Sequence, residues 1–520
     1  MDSFTSNLAS IDYVIIGTYM VGTLVIGSYF AKYISSTGDL LLAGRALPFW
    51  AIGMSIVVSD IGAIDLTTGA GAAYERGIAQ FNFDWIGSMP ALLLAAFIFV
   101  PYYWRAGVYT LPEFLGRRYN GATRWLLALV LLFFMVANVS IMLWLSAVFL
   151  KEILGWDYVY GIWITSLIVG IYTASGGLAA VVMTDVMQLV VMFVGTGALL
   201  LLGFWEVGGW SGAVKSILAQ PGVTEDYFRL LQHHNTGTDY PWPGMVFSLG
   251  MVMSTAYFVG NQAVMQRALG ARSEWDAKAS MLTAGLFKLM IPVLVFLPGL
   301  AARSMFPHLA NSDLAIPSLI NHVLPAGLKG LMFAAFFAAL MSSVDSYLNS
   351  CVTIFLGDFY RPVHRQVTGK SLPDLLGLRL GRVLTVSVLV GGALWAPNFS
   401  DAETLYDSIQ TLLSLFQGPT LAILLLGIFW QRTTSKGGFA GLAVGVLLTV
   451  VLNILGNGSF IGADGQKTTV FLSSNASYLY ISFWSFWISL AVTAAVSLVT
   501  RPKSPEELRG LVYGSVVLEE

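Results

Sequence analysis

The chain has 520 residues, 56% hydrophobic and 11% charged, with a formal net charge of −2 and a mean hydropathy of +0.73. Soluble proteins are about a quarter charged, so this composition excludes a soluble enzyme, a disordered scaffold and a nucleic-acid binder. The single cysteine, Cys351, excludes a disulfide framework and a cysteine-ligated metal site.

What remains is an all-α integral membrane protein, because its apolar runs suit helical spans of about 20 residues better than the short alternating strands of a barrel. In chain order thirteen spans are expected: 10–32, 48–73, 80–104, 122–150, 157–174, 179–206, 243–265, 278–305, 324–359, 375–397, 402–430, 437–457 and 474–499. The first lacks a basic leader and is too long for a signal peptide, so it reads as a retained helix. The expected organisation is an extra N-terminal helix and inner loop (1–47), five helices (48–206) and a long outer loop (207–242). Five more helices (243–430), two C-terminal helices (431–500) and a tail (501–520) follow. Two groups of five, an odd number, must lie in opposite orientations, the inverted-repeat plan of many secondary transporters.

Basic residues test this threading. With the N-terminus outside, nineteen of the 27 Lys and Arg fall in inner segments, among them Arg117, Arg118, Arg124, Arg267 and Arg272. Seven fall outside: Arg76, Lys151, Lys215, Arg229, Arg303, Lys329 and Lys467. The positive-inside rule therefore predicts a multi-pass protein of the cell membrane with its C-terminus in the cytoplasm. Lys288 alone lies within a span.

Ionisable residues inside spans are expensive and mark sites or pathways; here they are Asp60, Asp65, Asp84, Asp185, Lys288 and Asp345. The first helix of each five-helix group is interrupted, at Ser59-Asp60-Ile61-Gly62 and at Ser254-Thr255-Ala256 with Gly260-Asn261-Gln262. Such breaks free backbone carbonyls for a cation, or serve close glycine-mediated packing. In the ninth span Ser342, Asp345, Ser346 and Asn349 share a helix face, a set of oxygens suited to a hard cation, with hydroxyls bonding back to their own helix as the other reading. Asp185 follows the Gly176-Gly177 turn, where it either complements a helix dipole or belongs to a site. Lys288 has no acid nearby in sequence and needs a partner across the bundle.

These residues resemble the sodium/solute symporters, most closely the sodium/sugar branch, from about Gly44 to Lys436. The markers are Gly44-Arg45-Ala46-Leu47-Pro48, Tyr109-Thr110-Leu111-Pro112-Glu113-Phe114, the Gly176–Gln188 stretch, Ser342–Ser350, and Phe429-Trp430-Gln431-Arg432-Thr433-Thr434-Ser435-Lys436-Gly437. The resemblance implies a LeuT-type 5+5 inverted repeat working by alternating access, with Na⁺ as the co-transported ion. It implies a main sodium site of the backbone oxygens of Val58, Ile61 and Ala339 and the hydroxyls of Ser342 and Ser343. Members that move a second sodium add a site near Asp185, Ser342, Asp345 and Ser346. Position 345, usually Ser, Thr or a small residue in the family, is Asp here, so a second sodium and a proton both stay open.

For the solute, Asn138, Lys288 and Gln410 match sugar-binding positions, Tyr257 the aromatic inner gate, and Asp84 replaces a sugar-contacting Glu. Asp65, Ser254 and Gly87 stand where the galactose transporter has Gln, Asn and Ser. Asp60 stands where sugar members carry Asn; the proline-type branch carries Asp there, linked to sodium. Amides, Lys and carboxylates suit donor–acceptor hydroxyls, so a neutral sugar or polyol is expected. A sodium- or proton-coupled amino acid or small carboxylate such as sialic acid is the alternative. The implied partners are a small solute, sodium ions and the lipid bilayer, with no nucleic acid and no obligate protein partner. No phosphate-loop, HExxH or nucleophile-elbow motif points to an enzyme, whereas a passive channel would show uptake without sodium dependence.

Overall fold

The computed structural model describes residues 8–233, 239–400, 405–456 and 477–513. Lys467, residues 234–238 of the outer loop and the end of the tail fall outside them. The regular elements among the described residues are all helices, with two isolated backbone bridges, one joining Leu47 to Ala271.

Among the described residues ten helices are long and apolar enough to cross a membrane, and a bent pair makes an eleventh span. In chain order the elements are α1 (Ser10–Phe30), the bent pair α2 (Phe49–Asp60) and α3 (Asp65–Phe81), α4 (Phe83–Ala106), α5 (Gly121–Lys151), α6 (Tyr158–Ile171) and α7 (Gly177–Glu206). The second half holds α8 (Gly244–Gly260), α9 (Gln262–Leu269), α10 (Glu274–Met305), α11 (Leu328–Thr368), α12 (Asp374–Phe399), α13 (Leu405–Phe429), α14 (Ser435–Ile454) and α15 (Tyr478–Val499). Of the thirteen expected spans, that at α8 is an apolar helix too short to cross by length alone, and that at α6 belongs to a helix running from Tyr158 to Glu206 with its turn at Gly177, so length and composition do not carry the count of thirteen.

Both expected breaks exist. Between α2 and α3 the chain bends by 65°, with Ile61 in a non-helical conformation. The second break falls at Asn261, which is extended and caps α9 by accepting from the Ala263 amide at 3.0 Å; Ser254–Ala256 stay helical. A third change of direction is at Gly177, whose φ of 54° favours glycine.

The core is built on α11, whose Leu328–Ile354 part is buried almost throughout. It packs against α6 and α7, α5, α1 and α2, while α13, α14 and α15 pack together. Asp12 of α1 ties the first helix to α11: its Oδ1 accepts from the amides of Gly327 and Gly330, both at 2.7 Å, satisfying donors that a helix start leaves over.

The family-like markers prove to be joints. Thr110 caps the helix Leu111–Arg118 by accepting from the Glu113 amide at 3.1 Å. At that helix's other end Arg118 donates to the carbonyls of Gly427, Thr433 and Trp430 at 2.6, 3.1 and 3.2 Å, closing the C-terminus of α13. Arg118 and Arg267, both counted as inner-loop cations from the sequence, are therefore corrected: each is at most 1% exposed. A guanidinium that satisfies several acceptors at once can be buried beside a span, and hydropathy cannot distinguish it from a loop charge.

Candidate functional site

The break after Asp60 leaves the last carbonyls of α2 without partners in their own helix and sets them against the middle of α11. Ser343 Oγ donates to the Ser59 carbonyl at 3.0 Å and to the Ala339 carbonyl at 3.1 Å. Ser342 Oγ lies 2.8 Å from Ser59 Oγ. Val58, Ile61, Ala339, Ser342 and Ser343, the expected sodium ligands, are all buried around this contact. Ser343 bonds back to its own helix, the second of the two readings of these serines, and also across to α2. The contact is close because of glycine, since a Cβ on Gly62 would come within 2.6 Å of Ser343 Oγ.

Beside this contact a single cavity is lined by every residue expected at the solute site: Asp60, Asp65, Asp84, Asn138, Ser254, Tyr257, Lys288 and Gln410. Lys288 finds two partners. It is ion-paired with Asp60 at the α2 break and with Asp84 of α4 at 2.6 Å, and only about 5% of its side chain is exposed. Asp84 also accepts from Ser88 Oγ at 3.3 Å. Asn138 Nδ2 donates to the Phe134 carbonyl at 3.0 Å, which leaves Oδ1 as the end without a protein partner. Two departures from the sugar branch belong together, because a Cβ on Gly87 would meet Ser254 Oγ at 2.5 Å.

Three lining residues were missed from the sequence. Gln417 of α13 is buried with its Oε1 unpartnered. Tyr347 of α11 and Tyr406 of α13 line the cavity too, the latter accepting from Gln80 at 3.0 Å. An uncharged amide within a span, as in Phe416-Gln417-Gly418, is a signal that a search for ionisable residues passes over.

Asp185, Asp345 and Ser346, the expected second-cation group, are buried on α7 and α11. A cation of the protein reaches it. Arg267 of α9 donates to Asp185 Oδ2 at 3.2 Å, to Ser55 and Ser59 Oγ at 2.6 Å each, and to Ser346 Oγ. Ser55 donates to the same Asp185 oxygen at 2.5 Å, while Asp185 Oδ1 has no partner. Asp185 lies two turns past Gly177, beyond the first turn where a helix dipole acts, so its place is explained by Arg267 and Ser55. Tyr257, Asp60 and Tyr347 line both the large cavity and a smaller one that reaches Arg267 and Ser346. Tyr257 thus stands between the two.

On the far side of α3, Arg76 is ion-paired with Asp239 at 2.8 Å and with Asp407, at the start of α13, at 2.9 Å.

A model of the sodium:solute symporter family matches residues 40–445. Sodium/glucose cotransporter 1 of Ovis aries is 32% identical over 548 residues, an alignment covering 98% of this chain and 81% of that protein. The sodium/myo-inositol cotransporter of Bos taurus is 30% identical over 556 residues, covering 98% and 76%. Among solved structures, a Na⁺-coupled sialic acid symporter in a substrate-bound outward-open state superposes with a TM-score of 0.81 at 22% identity, covering 95% of this chain and 99% of that one. A nucleobase-cation-symport-1 family transporter in a closed conformation superposes with a TM-score of 0.56 at 13% identity, covering 91% and 97%. These likenesses establish the LeuT-type fold.

Proposed function

The chain belongs to the sodium:solute symporter family, and we propose that it imports a small polyhydroxylated solute, a sugar or polyol, on an inward sodium gradient. It is a multi-pass membrane transporter, not an enzyme, and Na⁺ is its co-transported ion. The observation that carries the solute reading is the single cavity in which Asn138, Gln410 and Lys288 converge beside the α2 break. Glucose and myo-inositol name two of the relatives, and amides with unspent acceptors suit hydroxyl groups.

Sodium is assigned to the carbonyls of Val58, Ile61 and Ala339 with the hydroxyls of Ser342 and Ser343. Bound there, it would hold α2 against α11 and fix Asp60, and through Asp60 the ammonium of Lys288. Coupling then follows from solute and ion both binding better to the state in which this geometry is formed. At about 100 mV each sodium contributes ~2.3 kcal/mol, or about fifty-fold accumulation. At the second group a further monovalent cation is proposed on Asp185 Oδ1, a buried carboxylate oxygen without a hydrogen-bond partner among the described residues. We place the two inverted repeats at 48–206 and 243–430, the N-terminus outside and the C-terminus in the cytoplasm of the cell.

A carboxylate solute such as sialate fits this cavity less well, because Lys288 is held between two acids. The test is uptake into proteoliposomes across sugars, polyols, amino acids and sialate, with and without sodium and a pH gradient. Sodium-dependent accumulation of a sugar or polyol is expected; uptake indifferent to both gradients would overturn the reading.

A further inference from the structure

We propose that the solute carries a protonated amine beside its hydroxyls, making it an amino sugar or amino polyol, and that Asp65 receives the ammonium. This rests on the sodium-coupled reading above and revises the expectation of a neutral solute.

The first ground is the distribution of charge. Three carboxylates, Asp60, Asp65 and Asp84, line the cavity with one ammonium, Lys288. Lys288 is ion-paired with Asp60 and Asp84; Asp65 makes no ion pair with it among the described residues and takes one backbone hydrogen bond, at Gly62. One sodium at the α2 break and one monovalent cation against Asp65 bring this group to neutrality. A neutral sugar leaves one negative charge over unless a carboxylate takes up a proton, and an ammonium on Asp65 removes either cost.

The second ground is independent of charge. The buried amide oxygens Asn138 Oδ1 and Gln417 Oε1, of two residues that line the same cavity, lack a donor among the described residues. With Asp65 they present acceptors that call for a donor-rich solute. Hydroxyls supply donors, and an ammonium supplies three with no acceptor.

The same geometry separates an amino sugar from an α-amino acid. An amino acid brings a carboxylate, whose natural partner is Lys288. Two of that ammonium's three donors already go to carboxylates, and a third acid beside Asp60 and Asp84 would be repelled. A hydroxyl oxygen can take the remaining donor without that cost.

The experiment is calorimetric titration of the full-length protein at pH 7, in sodium and in potassium. The probes are 2-amino-2-deoxyglucose, 6-amino-6-deoxyglucose and 1-amino-1-deoxysorbitol, each beside its N-acetyl form and its parent polyol. In sodium, at least one amine is expected to bind at least about tenfold more tightly than both of its neutral counterparts, the worth of one charge-assisted hydrogen bond. Asp65→Asn should bring that ratio to about one and Asp65→Glu should retain part of it. The wild-type ratio decides the matter even if neither variant folds. Sodium-dependent binding of parent polyols as tight as that of the amines, or a preference that survives Asp65→Asn, overturns the proposal and leaves the sugar-symporter reading standing. Preferential binding of glycine or proline overturns it in favour of an amino acid. No sodium-dependent binding of any probe overturns both.

Discussion

Arg267 and Asp185 form an ion pair at 3.2 Å between α9 and α7, with both side chains essentially out of water. The pair joins the second broken span to the helix that follows the Gly177 turn, and Ser55 and Ser59 of the first broken span complete its hydrogen bonds. Removing one member of a buried pair strands the other, at about 3–5 kcal/mol. Arg267→Ala is therefore expected to lower the thermal midpoint in detergent by several degrees, and Asp185→Asn in the same chain to recover part of the loss. Additive losses in the double variant would show that the two side chains act separately.

Sodium affinity should depend on Ser343. Its hydroxyl is held between the carbonyls of Ser59 and Ala339 and would turn from donor to ligand at the proposed sodium site. Ser343→Ala is expected to raise the sodium concentration for half-maximal uptake by about tenfold, the worth of one hydrogen bond to a charged group, with smaller change in maximal rate. Gly62→Ala, whose Cβ would press on the same hydroxyl at 2.6 Å, should impair sodium activation similarly. Wild-type sodium activation in both variants would remove the site from this contact.

Lys288→Gln leaves Asp60 and Asp84 facing the cavity without their shared counter-charge. Sodium-driven uptake should fall at least about tenfold, with destabilisation of about 3–5 kcal/mol if both acids stay ionised. Adding Asp84→Asn is expected to restore the melting temperature more than the uptake. Equal recovery of both would make Lys288 a packing residue with no part in solute binding.

Outside the spans, Asp313 lies in the connection between α10 and α11. Burial first, then the charges of Glu75 and Asp407, push its carboxyl up to about 7 from an ordinary 3.8. The folded state therefore holds this proton more tightly than the unfolded chain does. The stabilisation is complete below the ordinary carboxylate range and is lost as pH rises through about 7, with a slope of up to about 1.4 kcal/mol per pH unit. Melting curves at pH 6 and 8 should show the wild type losing stability towards pH 8, and Asp313→Asn losing less. Parallel losses in the two proteins would acquit this carboxyl.

Much of this was readable in order along the chain. Low charge and long apolar runs determine a helical membrane protein, because each backbone amide in lipid must be satisfied within its own segment. Gly62 and Asn261 mark the broken spans because small or capping residues end helices wherever they stand. Ser342, Asp345, Ser346 and Asn349 read as one oxygen-rich helix face because three- and four-residue spacing sets them side by side. Partners far apart in sequence were not readable. That Lys288 meets Asp60 and Asp84, that Arg267 enters the Asp185 group instead of a loop, and that Asp65 is left over are decided by how the helices cross. Local sequence sets which side chains a span carries and which face they share. Only packing sets which face of another span they meet, and in a medium that does not screen charge, that meeting decides which carboxylates are already neutralised and which one awaits the solute.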